Sequence, residues 1–198
     1  MHDPTAVNQN TLTGNKIAVA RSQEHYRPGQ IAGLLAPLSG SVSRPAGRTA
    51  YLPQNPGALL HLPTVRAEVE LTLRRTGSAD SAEPLLEAMG LTGLADRYPR
   101  DLSSGQRQRA ALAAVLAGSP DLVLLDEPTR GMDAAARRAL AAAVGELTAR
   151  GSAVILATHD SELIAALAGR VVELSNGRAV DRAPSRGEPA PARPEPAR

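Results

Sequence analysis

A chain of 198 residues with 42% hydrophobic residues can bury one sizeable core, so a single domain is the default expectation. The net charge of +2 is nearly balanced and the basic residues are scattered instead of clustered, which argues against a nucleic-acid partner. Cysteine is absent, which excludes disulfides, thiolate zinc sites and a cysteine nucleophile.

With no Phe or Trp and three Tyr, the core falls to Leu, Val, Ile and Ala. No apolar run approaches the roughly 20 residues of a membrane span, and the first 30 residues lack the pattern of a signal peptide. A soluble, cytoplasmic protein is expected.

Residues 1–30 are polar and weakly patterned, apart from the alternation Ile17, Ala18, Val19, Ala20, which reads as a short strand. Pro28 suits a helix first turn, and the spacing predicts a helix through Ile31, Leu34 and Leu35 that Pro37 and Gly40 end. "RTAYLPQNPGALL" carries a strand into a turn set by Pro53, Asn55, Pro56 and Gly57. A helical insert is expected over about 58–100. There Val65, Val69 and Leu73 recur at four-residue spacing, and Leu85, Leu86, Met89 and Leu91 make a second apolar face.

Ser103 and Ser104 can cap a helix over 105–117 that Gly118 and Pro120 stop. "DLVLLDEP" is a continuously apolar strand of the kind found when both faces of a parallel sheet are covered. A helix over 134–150, the strand "AVILATHD", a helix from about Ser161 to Leu167 and the strand "VVELSNG" follow. This alternation predicts an α/β fold with a largely parallel sheet. Residues 183–198 are Pro-rich, charged and poor in large apolar side chains, and read as a disordered tail.

Two acids end the apolar strand at Asp126 and Glu127, where open α/β sheets place their ligands. Asp126 would hold Mg²⁺, directly or through water, and Glu127 would accept a proton from an attacking water. The strand alone allows a plainer reading, a pair of solvated turn carboxylates before Pro128. "LSSGQ" at 102–106 offers the Ser103 and Ser104 hydroxyls, the Gly105 and Gln106 amides and a helix N-terminus, together an anion site. A Ser-Gly helix cap explains that turn equally well when it is taken alone.

In order, "LSSGQ", "RQR", an apolar helix and "LVLLDEPTRGMD" resemble the ATP-binding-cassette (ABC) ATPase family. "YLPQNP" resembles its Q-loop at Gln54, "RGMD" its D-loop at Asp133 and "ATHD" its switch loop at His159. The resemblance covers residues 31–182 and implies a P-loop NTPase-like fold with a helical insert, with 1–30 as an atypical N-terminal segment. "YLPQNPGALLHLPTVRAEVELTL" looks most like the ATPase subunits of energy-coupling-factor importers of vitamins and transition-metal ions.

The resemblance further implies ATP and Mg²⁺ as cofactors and Gln54 as a residue that reaches the Mg²⁺ and senses the transporter. It implies Ser103 and Gly105 on the γ-phosphate of a nucleotide held mainly by a second ABC ATPase domain. Asp133 would couple the two sites, and His159 would stabilise the γ-phosphate as charge develops. A transmembrane permease subunit is the expected partner, with the ATPase peripheral on the inner face of the cell membrane. DNA-repair and chromosome-organising cassettes insert coiled coils or zinc modules, for which the interval from Gln54 to Leu102 has no room.

One part of that pattern is missing. G-x-x-x-x-G-K-[ST], whose amides and lysine cradle phosphates, has no match, and the sole lysine, Lys16, lies between Asn15 and Ile17. Aligning by "AGLL" lays the expected loop over "AVARSQEHY", with the acid Glu24 in the lysine's place and Pro28 and Gly29 delaying the next helix. Hydrogen bonds to charged groups contribute roughly 1.5 to 3 kcal/mol each and a micromolar ligand needs about 8 kcal/mol, so losing four or five abolishes useful affinity. The N-terminus reads as a deletion, a misplaced start or a frameshift product of an ordinary ATPase. An alternative is a non-hydrolysing partner that completes another cassette's ATP site.

Overall fold

The computed structural model describes residues 17–22, 32, 34, 46–175 and 178–182. Among these, six strands form one sheet in the order β2-β3-β4-β1-β5-β6. They are β1 (Ile17–Ser22), β2 (Thr49–Leu52), β3 (Leu122–Asp126), β4 (Ala153–Ala157), β5 (Arg170–Ser175) and β6 (Arg178–Arg182). All neighbours run parallel except β5 and β6, a hairpin that the sequence reading did not separate into two strands.

The helices are α1 (Val65–Thr76), α2 (Glu83–Ala88), α3 (Ser104–Leu116), α4 (Ala134–Ala149) and α5 (Ser161–Leu167). Their starts follow from local chemistry. Thr64, Ser103, Asp133 and Asp160 each turn a side-chain oxygen onto a first-turn amide that would otherwise lack a partner. At the other end of α1, Gly77 adopts φ 67° and donates its N–H to the last carbonyls of the helix.

Leu122 to Leu125 of β3 are all buried, and because successive side chains point to opposite faces, both faces of this strand are covered. α3 is buried along an almost continuous run, Ala110 to Ala114. Its small side chains let α1, β2 and a 3-10 turn at Pro56–Leu59 approach closely. Leu86, Met89 and Leu91 of the helical insert are nearly fully buried in the same core.

Four sequence expectations need comment. The boundary set at residue 31 falls within the sheet's own span, because β1 pairs with β4 through Ile17–Ala20 and with β5 through Ala18–Ser22. Its apolar alternation is enough to let it pair on both sides. The helix placed over 28–37 is not seen where it can be checked: Ala32 lies in a turn and Leu34 in a bend, with Leu34 68% exposed. Two glycines and two prolines over residues 28–37 weaken any helix there. β1 pairs through Ser22, so residues 18–22 of "AVARSQEHY", where the loop was expected, are strand. Lys16, Glu24, Pro28 and the 183–198 tail lie outside the described residues.

Candidate functional site

β2, β3 and β4 are parallel neighbours, so the residues just past their carboxyl ends meet at one edge of the sheet. Leu52 is level with Leu125, and Asp126 with Ala157. Gln54, Glu127 and His159 therefore share that edge, each one or two residues beyond its strand. Gln54 is exposed in a bend that leads to the Asn55 cap of the Pro56–Leu59 turn.

Glu127 is the centre of the contacts. Its backbone is at φ 46°, a left-handed conformation that costs a residue of this kind on the order of 1–3 kcal/mol and is sustained only by its surroundings. They include a hydrogen bond from the Glu127 N–H to the Ala157 carbonyl at 2.8 Å. Glu127 Oε1 lies 2.9 Å from His159 Nδ1, and Thr158 Oγ1 donates to Glu127 Oε2 at 3.4 Å. With Glu127 as carboxylate the shared proton sits on Nδ1, so Nε2 is the ring nitrogen left for a ligand. The His159 side chain is 83% exposed and the Glu127 side chain only 20%. One partner is set back in the protein and the other reaches into solvent.

The loop that carries His159 is fixed behind it. Asp160 caps α5 by accepting from the Glu162 and Leu163 amides at 3.1 Å, and it also meets Arg137 of α4 at 3.5 Å. Thr158, 2% exposed, accepts from the Asp160 N–H at 3.1 Å. The sequence reading missed Thr158, although a hydroxyl residue next to a strand-end histidine was its visible signal.

Burial, and then the neighbouring Glu127 charge, raise the Asp126 carboxyl above the ordinary carboxylate value. Tyr51 of β2 is raised as well, by burial first and by Asp126 second. No cation pairs with Asp126 among the described residues. Two adjacent carboxylates whose charges oppose each other fit a bound cation, which would relieve both effects. The described residues assemble no group of three or more ligating His, Asp or Glu side chains. Mg²⁺ commonly uses one or two carboxylates and takes its other ligands from phosphate and water.

The Ser103 turn lies at the start of α3. Ser103 Oγ accepts from the Gln106 N–H at 3.3 Å, and Gln106 Oε1 accepts from the Ser103 N–H at 2.9 Å, a closed capping box. The Ser104 and Gly105 amides have no partner among the described residues and are the donors left for an anion. Gly105 is buried against the loop after Glu127, where a Cβ would run into the Gly131 carbonyl oxygen. Asp133 ends that loop, and its carboxylate accepts from the Ala136 N–H at 2.8 Å. The chain thus brings Glu127, Thr158 and His159 into contact, places Gln54 and Asp126 at the same edge, and locks the Ser103 turn to the segment before Asp133.

Comparison with known proteins agrees with this geometry. A family model described as "AAA domain, putative AbiEii toxin, Type IV TA system" matches residues 23–165. A Streptomyces avermitilis protein named for ABC transporter ATP binding is 43% identical over 171 residues, which is 79% of this chain and 30% of that protein. The Nocardia farcinica aliphatic sulfonates import ATP-binding protein SsuB 1 is 43% identical over 156 residues, covering 77% of this chain and 63% of its own. The chain spans about 30% of the length of the first of these relatives. A solved ATP-binding subunit of an ABC transporter superposes with a TM-score of 0.74 at 23% identity, over 85% of this chain and 79% of that one. The family model over residues 23–165 and the relatives' identity over more than three quarters of this chain establish that it belongs to the ABC ATPase family.

Proposed function

We propose that the chain is a nucleotide-hydrolysing subunit of an ABC importer of the energy-coupling-factor type, working as a dimer of ATPase domains on a transmembrane permease. The observation that carries the reading is the 2.9 Å contact between Glu127 and His159 at the edge shared with Asp126. The import direction is supported by the Nocardia farcinica relative, named for import of aliphatic sulfonates. No described helix is long and apolar enough to cross a membrane.

When bound, ATP supplies the phosphoanhydride to be cleaved and Mg²⁺ offsets its charge. Asp126 would hold the cation, and Gln54 would supply a further oxygen ligand. Glu127 accepts the proton of the attacking water, and its left-handed backbone and two side-chain bonds keep the carboxylate aimed. His159 is oriented by Glu127 through Nδ1, and Nε2, when it carries a proton as well, donates to the charge that grows on the transferred phosphoryl group. Ser104 and Gly105 offer their open amides, and Ser103 its hydroxyl proton, to a nucleotide held by the second domain.

A second reading rests on a different observation, the absence of G-x-x-x-x-G-K-[ST] from the sequence. In it the chain hydrolyses nothing itself and completes the ATP site of an intact partner. One experiment separates the two. ATPase activity is measured for the chain alone, for an intact cassette partner alone and for the mixture, with Glu127→Gln and Ser103→Ala versions of this chain. Under the first reading Glu127→Gln lowers kcat by about 10²–10⁴ and retains ATP. Rescue by the mixture that survives Glu127→Gln but not Ser103→Ala establishes the second.

A further inference from the structure

Glu68 is a buried acid that the mechanism above does not use. It lies on the α1 face formed by Val65, Val69 and Leu73, and is only 3% exposed. No cation pairs with it among the described residues. A carboxylate in such a place is costly unless it is hydrogen-bonded. Here Glu68 Oε1 accepts the backbone N–H groups of both His61 and Leu62.

Those two amides belong to the far end of the loop that opens with Gln54. Its near end hangs from β2, and between the ends Asn55 Oδ1 caps the Pro56–Leu59 turn by accepting from the Gly57 N–H at 3.4 Å. Every residue between Gln54 and α1 is therefore held at two points, the strand and Glu68. The same first turn of α1 carries a second tie: the Val65 and Arg66 amides donate to the Arg97 and Ala95 carbonyls at 3.1 and 2.8 Å. From there the chain runs through the turn Pro99–Asp101 into Ser103.

We propose that Glu68 is a positioning residue for Gln54, joining the Gln54 loop to the helix turn that also holds the approach to Ser103. A displacement of α1 then moves both segments together, and loss of the carboxylate frees the Gln54 loop alone. The inference rests on the proposed function only for what Gln54 does when a nucleotide is present, and not for how its loop is held.

Because the chain has no cysteine, Gln54→Cys gives a single attachment point for a nitroxide label. In Glu68→Ala the label at 54 gains mobility, and the His61 and Leu62 amides exchange with solvent about tenfold faster. A control label at Arg138→Cys on α4 and the β3 amides do not change. Glu68→Gln keeps an acceptor oxygen without the charge and gives a smaller acceleration at the same two amides. Unchanged mobility and exchange in Glu68→Ala overturn the proposal, as does loosening that spreads equally to the control label and β3.

If Glu68→Ala does not fold, Glu68→Gln decides alone. Acceleration confined to His61 and Leu62 supports the tie, and no acceleration, or one shared with β3, removes it. Neither measurement uses nucleotide or a partner, so failure here leaves hydrolysis untouched, and failure of ATP retention by Glu127→Gln leaves the tie untouched.

Discussion

At the end of β3, Asp126 pairs with no cation among the described residues, while Glu127 is bonded to His159 and Thr158. At the start of α3, in contrast, Ser103 and Gln106 bond each other and leave only the Ser104 and Gly105 amides open. The first region holds charge under tension that a cation would relieve, and ligand binding there removes a penalty. The second is satisfied by itself, so ligand binding there adds bonds to unused donors. The two are joined because Gly105 backs directly onto Gly131, four residues after Glu127.

The largest effect is expected where the regions meet. In Gly105→Ala the new methyl group meets a backbone oxygen that cannot swing aside, and the variant should lose about 2–3 kcal/mol, read from the denaturant midpoint. A loss under about 0.5 kcal/mol would show that the two segments slide apart freely and would dissolve the link between them. Ser103→Ala tests the closed turn by itself. Loss of its cap should cost about 1 kcal/mol with the slope of the unfolding curve unchanged.

The smallest effect has the opposite sign and tests the tension at β3. Burial and Glu127 make the folded chain hold the Asp126 proton more tightly than the unfolded chain does. Stability therefore falls as pH rises from the ordinary carboxylate value through the raised one, and stays lower above it. Asp126→Asn removes that fall. Without Mg²⁺, the variant should melt higher than wild type at pH 7, on the order of 1 °C because the group is partly open to solvent, and no higher near pH 3. Equal melting at both pH values would mean that the two carboxylates do not oppose each other.

How much of this was legible depended on whether a residue's partner was close in sequence. Ser103 bonds within three residues, and its role as a cap was read from local pattern, whereas the capping bonds of Gln106 and Asp133 were not. Apolar runs found β3 and β4 because continuous burial leaves a continuous mark. Glu68 was invisible for the reverse reason: a search for apolar spacing registers Val65, Val69 and Leu73 and passes over an acid on the same face. Thr158 reaches Glu127 across 31 residues, so its place beside His159 marked the residue but not its partner. The hairpin β5–β6 was missed although Asn176-Gly177, between the two strands, is itself a strong hairpin signal in sequence.

The place of β1 has a bearing on how the chain reaches its native form. Ile17 is level with Val154 and Ala18 with Arg170, so β1 is synthesised more than a hundred residues before its two neighbours. At a synthesis rate of roughly 5–20 residues per second it waits on the order of ten seconds for them. Closure of the sheet is thus a late event dominated by non-local pairing, and its rate should be slow beside that of the helical insert, whose contacts are nearby. Until β4 and β5 emerge, nascent β1 offers an unpaired edge that a chaperone or a wrong neighbour can occupy.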